Sequence, residues 1–189
     1  MPESLAQRIA EAVLIAHPLD EFYARSGLEL PPVERVRNEQ VPEPYRSLLV
    51  HQSDMTSTLE NFHGERIHLQ VVGRDRRGGD YFREVVLKLE GSEKLVEFGA
   101  IKINLHLFAS RAQEQILEEH YPLGRILKDC GITFYSRPQG FLRVASDSLI
   151  NGLLNLEQTQ LLYGRRNTLF DADGRHLAEI VEILPPRTE

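Results

Sequence analysis

Tyr81-Phe82-Arg83-Glu84-Val85-Val86-Leu87-Lys88-Leu89-Glu90 alternates as a β-strand does, but a guanidinium stands in its apolar face. Successive strand side chains point to opposite sides. Arg83 therefore shares a face with Tyr81, Val85, Leu87 and Leu89, while Glu84, Lys88 and Glu90 share the other with Phe82 and Val86. A guanidinium packed among apolar side chains is costly unless an anion meets it. Either a carboxylate of the protein neutralises Arg83, or a pocket is kept in which a carboxylate or phosphate of a ligand does. The second alternative defines a small-anion site.

Working outward, residues 66–72 place Ile67, Leu69 and Val71 on one side, and the basic, glycine-rich residues 73–79 turn the chain. Residues 81–90 return antiparallel, and a turn at Gly91-Ser92 leads into residues 94–104, giving a three-stranded meander. Before it, Ser53-Asp54-Met55-Thr56 offers helix caps, Ser57 and Glu60 have capping-box spacing, and Gly64 is a stop, so residues 56–63 should be a short helix. Residues 110–120 are helical, and Pro122 opens a second helix that runs to Cys130 and stops at Gly131. Residues 132–135 and 141–145 read as strands about a turn at 136–140, residues 149–156 as a short helix, and residues 160–170 with 176–184 as a closing hairpin. At the start, residues 4–17 are amphipathic with helical spacing, and residues 30–44 hold four prolines and read as an extended connector outside the core. The expected organisation is an N-terminal helix and connector over residues 1–44, then one compact domain over residues 45–189. The class is α+β, an antiparallel sheet of about six strands with helices covering one face.

Composition narrows the function. A chain of 189 residues, 41% hydrophobic, is long enough for a real core. A net charge of −6 without a Lys/Arg run argues against nucleic acid as a partner. No signal-peptide pattern and no long apolar window is found, so the expectation is a cytoplasmic protein without a membrane partner. The single cysteine, Cys130, cannot form an internal disulfide, and beside Asp129 and Gly131 it reads better as a buried spectator than as a nucleophile. The histidines are scattered, the closest pair, His63 and His68, lacks ligand spacing, and no metal is expected. No Walker loop or dinucleotide fingerprint appears, and residues 73–79 read as a solvated turn.

Two further charged positions stand out. Glu182 shares a face with Ala178, Ile180 and Leu184, but Leu177, Val181 and Ile183 line the other face with Glu179, so periodicity leaves either glutamate free to point inward. A buried Glu182 could be the salt-bridge partner of Arg83. Arg165 and Arg166 fall on opposite faces of one strand, and one of them can reach inward.

These pieces, in this order, resemble a chorismate pyruvate-lyase, the cofactor-independent enzyme that splits chorismate into 4-hydroxybenzoate and pyruvate. The matching segments are Ser53-Asp54-Met55-Thr56, Phe82-Arg83-Glu84-Val85-Val86-Leu87, Pro122-Leu123-Gly124-Arg125, Gly164-Arg165-Arg166 and Val181-Glu182-Ile183-Leu184-Pro185. The resemblance implies an enclosed pocket in which Arg83 and backbone amides near Met55 and Leu123 hold the carboxylate, while Glu182 meets the hydroxyl. It favours Glu182 over Glu179, makes an Arg83–Glu182 ion pair less expected, and assigns Arg83 and Glu182 as catalytic. Arg165, or else Arg166, is the candidate for a second carboxylate or the departing oxygen. No cofactor is implied, residues 73–79 are a candidate lid, and the partner is chorismate or a related aromatic acid. Assembly is expected as a monomer, or as a homodimer through the N-terminal arm.

The runner-up is a non-catalytic module. Effector-binding domains of the UTRA type are similar in fold and hold small acids without converting them. They normally follow a DNA-binding winged helix. Residues 1–44 show one helix and a proline-rich stretch without a basic recognition helix, and this favours the lyase reading. A lyase-like scaffold that has lost activity is the third alternative.

Overall fold

The computed structural model describes residues 5–186; the expected helix start at Ser4 and the final three residues lie outside them. Its centre is a sheet of seven strands: β1 (Val33–Val36), β2 (Ile67–Arg77), β3 (Asp80–Leu89), β4 (Leu95–Asn104), β5 (Phe134–Ala145), β6 (Leu161–Asp171) and β7 (His176–Leu184). Their spatial order is β1-β5-β6-β7-β4-β3-β2, with every neighbouring pair antiparallel. The helices are α1 (Leu5–Ala16), α2 (Leu19–Arg25), α3 (Tyr45–Leu49), α4 (Met55–His63), α5 (Ser110–Glu118), α6 (Leu123–Asp129) and α7 (Ser148–Leu154). The α+β class and the antiparallel sheet are as expected. No helix among the described residues is long and apolar enough to cross a membrane.

Three local readings change. Residues 73–77, expected in a loop, continue β2, and the turn shrinks to Gly78-Gly79, with Gly78 at φ +57°. A bulge between Val71 and Gly73 keeps the pairing going to Arg77↔Asp80. A paired strand end cannot serve as the flexible lid that was expected. The turn expected at residues 136–140 is instead the middle of β5, bulged between Pro138 and Gly140. Proline is tolerated there because it stands at the bulge, beyond residues 141–144 with which β1 pairs. Finally, the proline-rich connector contributes the seventh strand, β1, and residues before Tyr45 share the sheet and core with those after it.

Helices lie on both faces of the sheet and not on one as expected, because its central strands carry apolar side chains on both sides. Ile15, Leu19, Phe22 and Tyr23 of α1 and α2, with Ile150 of α7, pack on Phe82, Val86, Phe98, Ala100 and Val181. On the opposite face, α3 and α4 pack Leu49, Met55 and Leu59 on Val85, Leu87 and Leu184, and α5 and α6 pack Ile116, Ile126 and Leu127 on Tyr81, Ile101 and Ile103. Both faces of β3 are thus buried, which accounts for Phe82 and Val86 lying on the face that also carries its carboxylates.

Glu84 is caught on the α2 face. Its Oε1 is buried with no hydrogen-bond partner among the described residues, and burial pushes its carboxyl up to about 7, weakly opposed by Arg25. Gly73, opposite it in the ladder, leaves room for the carboxyl: a Cβ there would lie 2.7 Å from Oε2. The folded protein therefore holds this proton more tightly than the unfolded chain does, and stability falls as pH rises from about 4.5 through about 7. Glu84→Gln should flatten that slope. In thermal denaturation at pH 5, 6.5 and 8, its Tm advantage over the parent should widen at each step.

Candidate functional site

The ladder register sets out the site row by row. Arg83 lies opposite Ile101, Ile101 opposite Ile180, and Ile180 opposite Asn167. One row along stand Val85, Gly99, Glu182 and Arg165. Facing residues share a side of the sheet. The inner face thus has a guanidinium near one end of the array and two charged residues in the neighbouring row.

Arg83 is only 2% exposed, and its Nε and Nη1 are buried without a hydrogen-bond partner among the described residues. Glu119, whose charge acts on it, is already committed to Tyr81 Oη and, at 2.7 Å, to Arg74 Nη1. Desolvation pulls Arg83 down to about 10, opposed by Tyr81 and Glu119, so it remains a cation at neutral pH. The cavity in front of it, with about 60 Å³ of water-accessible space, has room for several waters or a compact acid. Its walls include Val85, Leu87, Ile101 and Ile180.

Two helix starts close it. Met55 and Thr56 open α4, and Leu123 and Gly124 open α6; all four line the cavity. The first N–H groups of a helix have no acceptor within it, so both starts offer donors to an anion. Asp54 holds them together: it caps α4 by accepting from Ser57 N at 2.9 Å and pairs with Lys128 of α6 at 2.9 Å. The approach requires Gly124, because a Cβ there would sit 2.9 Å from Asp54 Oδ1.

The acidic side is built differently from expectation. Glu182, 3% exposed, lines the cavity, whereas Glu179 lies on the other face and pairs with Arg166 at 2.9 Å. Glu182 does not pair with Arg83; it accepts from Arg165 Nε. Arg165 is fully buried and is not a lining residue. Its Nη1 donates to the carbonyls of Leu49 (3.3 Å) and His51 (3.2 Å), and its Nη2 to that of Ser53 (3.3 Å). With its donors turned to the protein, Arg165 does not reach a ligand. It positions Glu182 and ties the segment before α4 to the sheet. Asn167 lines the cavity and is held through Ser136, to which its amide donates at 3.0 Å.

Sequence reading missed Glu97. It is 4% exposed, lines the cavity, and its Oε2 has no partner among the described residues. Burial pushes its carboxyl well above the usual carboxylate range, the Glu182 charge adds to this, and Arg165 opposes it. The signal was the same as for Arg83, a lone charge on a face shared with Leu95, Gly99, Ile101 and Ile103. Among the described residues, no group of three or more His, Cys, Asp or Glu is placed to hold a metal.

No family model matches this sequence, and no curated protein matches it. Solved structures do. PhnF from Mycobacterium smegmatis matches with a TM-score of 0.56 at 11% identity, over 90% of this chain and 93% of that one. The effector domain of PhnF matches with a TM-score of 0.53 at 12% identity, over 69% of this chain and 87% of that one. A possible transcriptional regulator, YydK from Bacillus subtilis, matches with a TM-score of 0.52 at 12% identity, over 91% and 93%. The fold is the one that chorismate lyases and UTRA-type effector domains share. The expectation of an enzyme is corrected by these matches: the structures resembled include an effector domain and a possible transcriptional regulator, and lyase activity is not supported.

The Arg165–Glu182 pair makes a stability prediction. Removing one member of a buried pair strands the other charge, so Arg165→Met should destabilise by about 3–5 kcal/mol. Arg165→Met with Glu182→Leu should recover much of that loss in urea unfolding.

Proposed function

We infer that this chain is an effector-binding module that holds a small organic acid without converting it. The observation that carries the reading is Arg83, a buried guanidinium beside a cavity whose Nε and Nη1 have no partner among the described residues. A guanidinium is a planar fork, and one of its free edges suits two parallel hydrogen bonds to a carboxylate or phosphate. Met55, Leu123 and Glu182 complete the binding set, the first two through the backbone donors of their helix starts and the third at the opposite side. Arg165 acts through Glu182. The likeness to an effector domain and to a possible transcriptional regulator supports a binding role over a catalytic one.

Ligand and residue are linked through stability. A ligand that binds only the folded state stabilises it, by about 2.7 kcal/mol at a hundred times its Kd. Screening benzoate, 4-hydroxybenzoate and inorganic phosphate by thermal shift should therefore raise Tm with at least one anion. Arg83→Met should abolish that shift. Because it replaces an uncompensated buried charge with an apolar side chain of similar length, it should also raise the stability of the unliganded protein by about 1–3 kcal/mol. An anion-induced shift of parental size in Arg83→Met would overturn the reading.

A further inference from the structure

The charges around the cavity are distributed unevenly. Arg83 is an unpartnered cation at one end. At the other, Glu97 and Glu182 supply two carboxyl groups, and the single guanidinium among them, Arg165, is bonded to Glu182. Asp54, also in the lining, has its own cation in Lys128. One positive group and one acid are therefore left over, and they are not close to each other in the ladder. Ile101, opposite Arg83, is four residues along β4 from Glu97, a span of about 13 Å at strand spacing.

The gap between the charged groups is shorter than the backbone span. Gly99 lies midway on β4, and the Glu97 carboxyl folds back over it: a Cβ there would come within 3.1 Å of Glu97 Oε1 and 3.2 Å of the Val181 carbonyl. Apolar walls flank the space on Val85, Leu87 and Ile101. A short ligand between Arg83 and the Glu97 carboxyl can touch both.

We propose that the cavity selects a dipolar ligand, with its carboxylate or phosphate on Arg83 and a protonated nitrogen on Glu97 and Glu182. This rests on the anion-site reading and specifies the rest of the ligand. The reason is electroneutrality. Burial favours a protonated Glu97 when no cation stands beside it, and an ammonium placed there supplies the counter-ion that lets the proton leave. With both glutamates then ionised, Arg83, Arg165 and Lys128 balance Glu97, Glu182 and Asp54, and a net-neutral zwitterion leaves no surplus charge in a buried space. A simple acid satisfies only Arg83 and leaves the Glu97 Oε2 unpartnered, or obliges Glu97 to keep a proton. An ammonium meets Glu97 and Glu182 together through charge-assisted hydrogen bonds, which are about twice as strong as neutral ones.

The test uses pairs of compact probes that differ in one terminal group: 3-aminopropanoate against 3-hydroxypropanoate, and 4-aminobutanoate against 4-hydroxybutanoate. Calorimetric titration of the full chain should show the amine of at least one pair binding about tenfold or more tighter than its alcohol, the gap expected of one well-made charged contact. In Glu97→Gln the amine should bind within about twofold of its own alcohol, with the variant's Tm recorded to show that it is folded. Alcohols binding through Arg83 as tightly as the amines, or a preference that survives Glu97→Gln, would overturn the dipolar ligand and leave the anion site standing. Failure of all four probes, or binding unaffected by Arg83→Met, would overturn both.

Discussion

A cation sealed into the sheet without a counter-ion is the constraint from which the rest follows. The guanidinium of Arg83 is too buried to be solvated and too far from a free carboxylate to be paired. Glu119 is held by Tyr81 and Arg74, and Glu182 by Arg165. A structure optimised for stability alone would place an apolar residue at this position. Keeping the charge, and keeping a space in front of it, is the behaviour of a site in which stability is given up for recognition.

The surroundings enforce that arrangement. β3 is covered on both faces, so Arg83 cannot escape to water by a change of rotamer. Arg165 gives its donors to Glu182 and to the carbonyls of Leu49, His51 and Ser53, which occupies the Glu182 carboxylate and anchors the segment leading into α4. Asp54 then draws the starts of α4 and α6 together over the cavity, an approach that the missing side chain of Gly124 permits. Fold and site are one construction: the same ion pairs that fix the elements leave Arg83 alone.

Much of this was legible along the chain, because strand alternation reports which side chains share a face. The inward arginine, its central strand, the flanking meander and the closing hairpin all follow from period-two patterning; Gly64 closes α4 as read, and Asp54, one of several caps on offer, opens it one residue earlier than expected. Other features depend on distant partners. The short β1 amid prolines forms because β5 offers it an edge, and residues 136–140 stay extended because β6 holds them, neither of which local propensity records. Parity could not choose between Glu179 and Glu182, since the sheet is buried on both sides. Glu97 was visible as a lone acid in an apolar face and was passed over. The step from site to activity failed for a different reason. A guanidinium clamp in a closed pocket serves binding and catalysis alike, and the short motifs shared with chorismate lyases track the fold, which effector domains share.

The most direct measurement is a crystal structure grown with a small carboxylate that raises the protein's Tm. The account requires the ligand's carboxylate within hydrogen-bonding distance of the Arg83 guanidinium, between the helix starts at Met55 and Leu123. Arg83 turned onto Glu97, Glu119 or Glu182, with the acid bound elsewhere and the cavity closed, would contradict it.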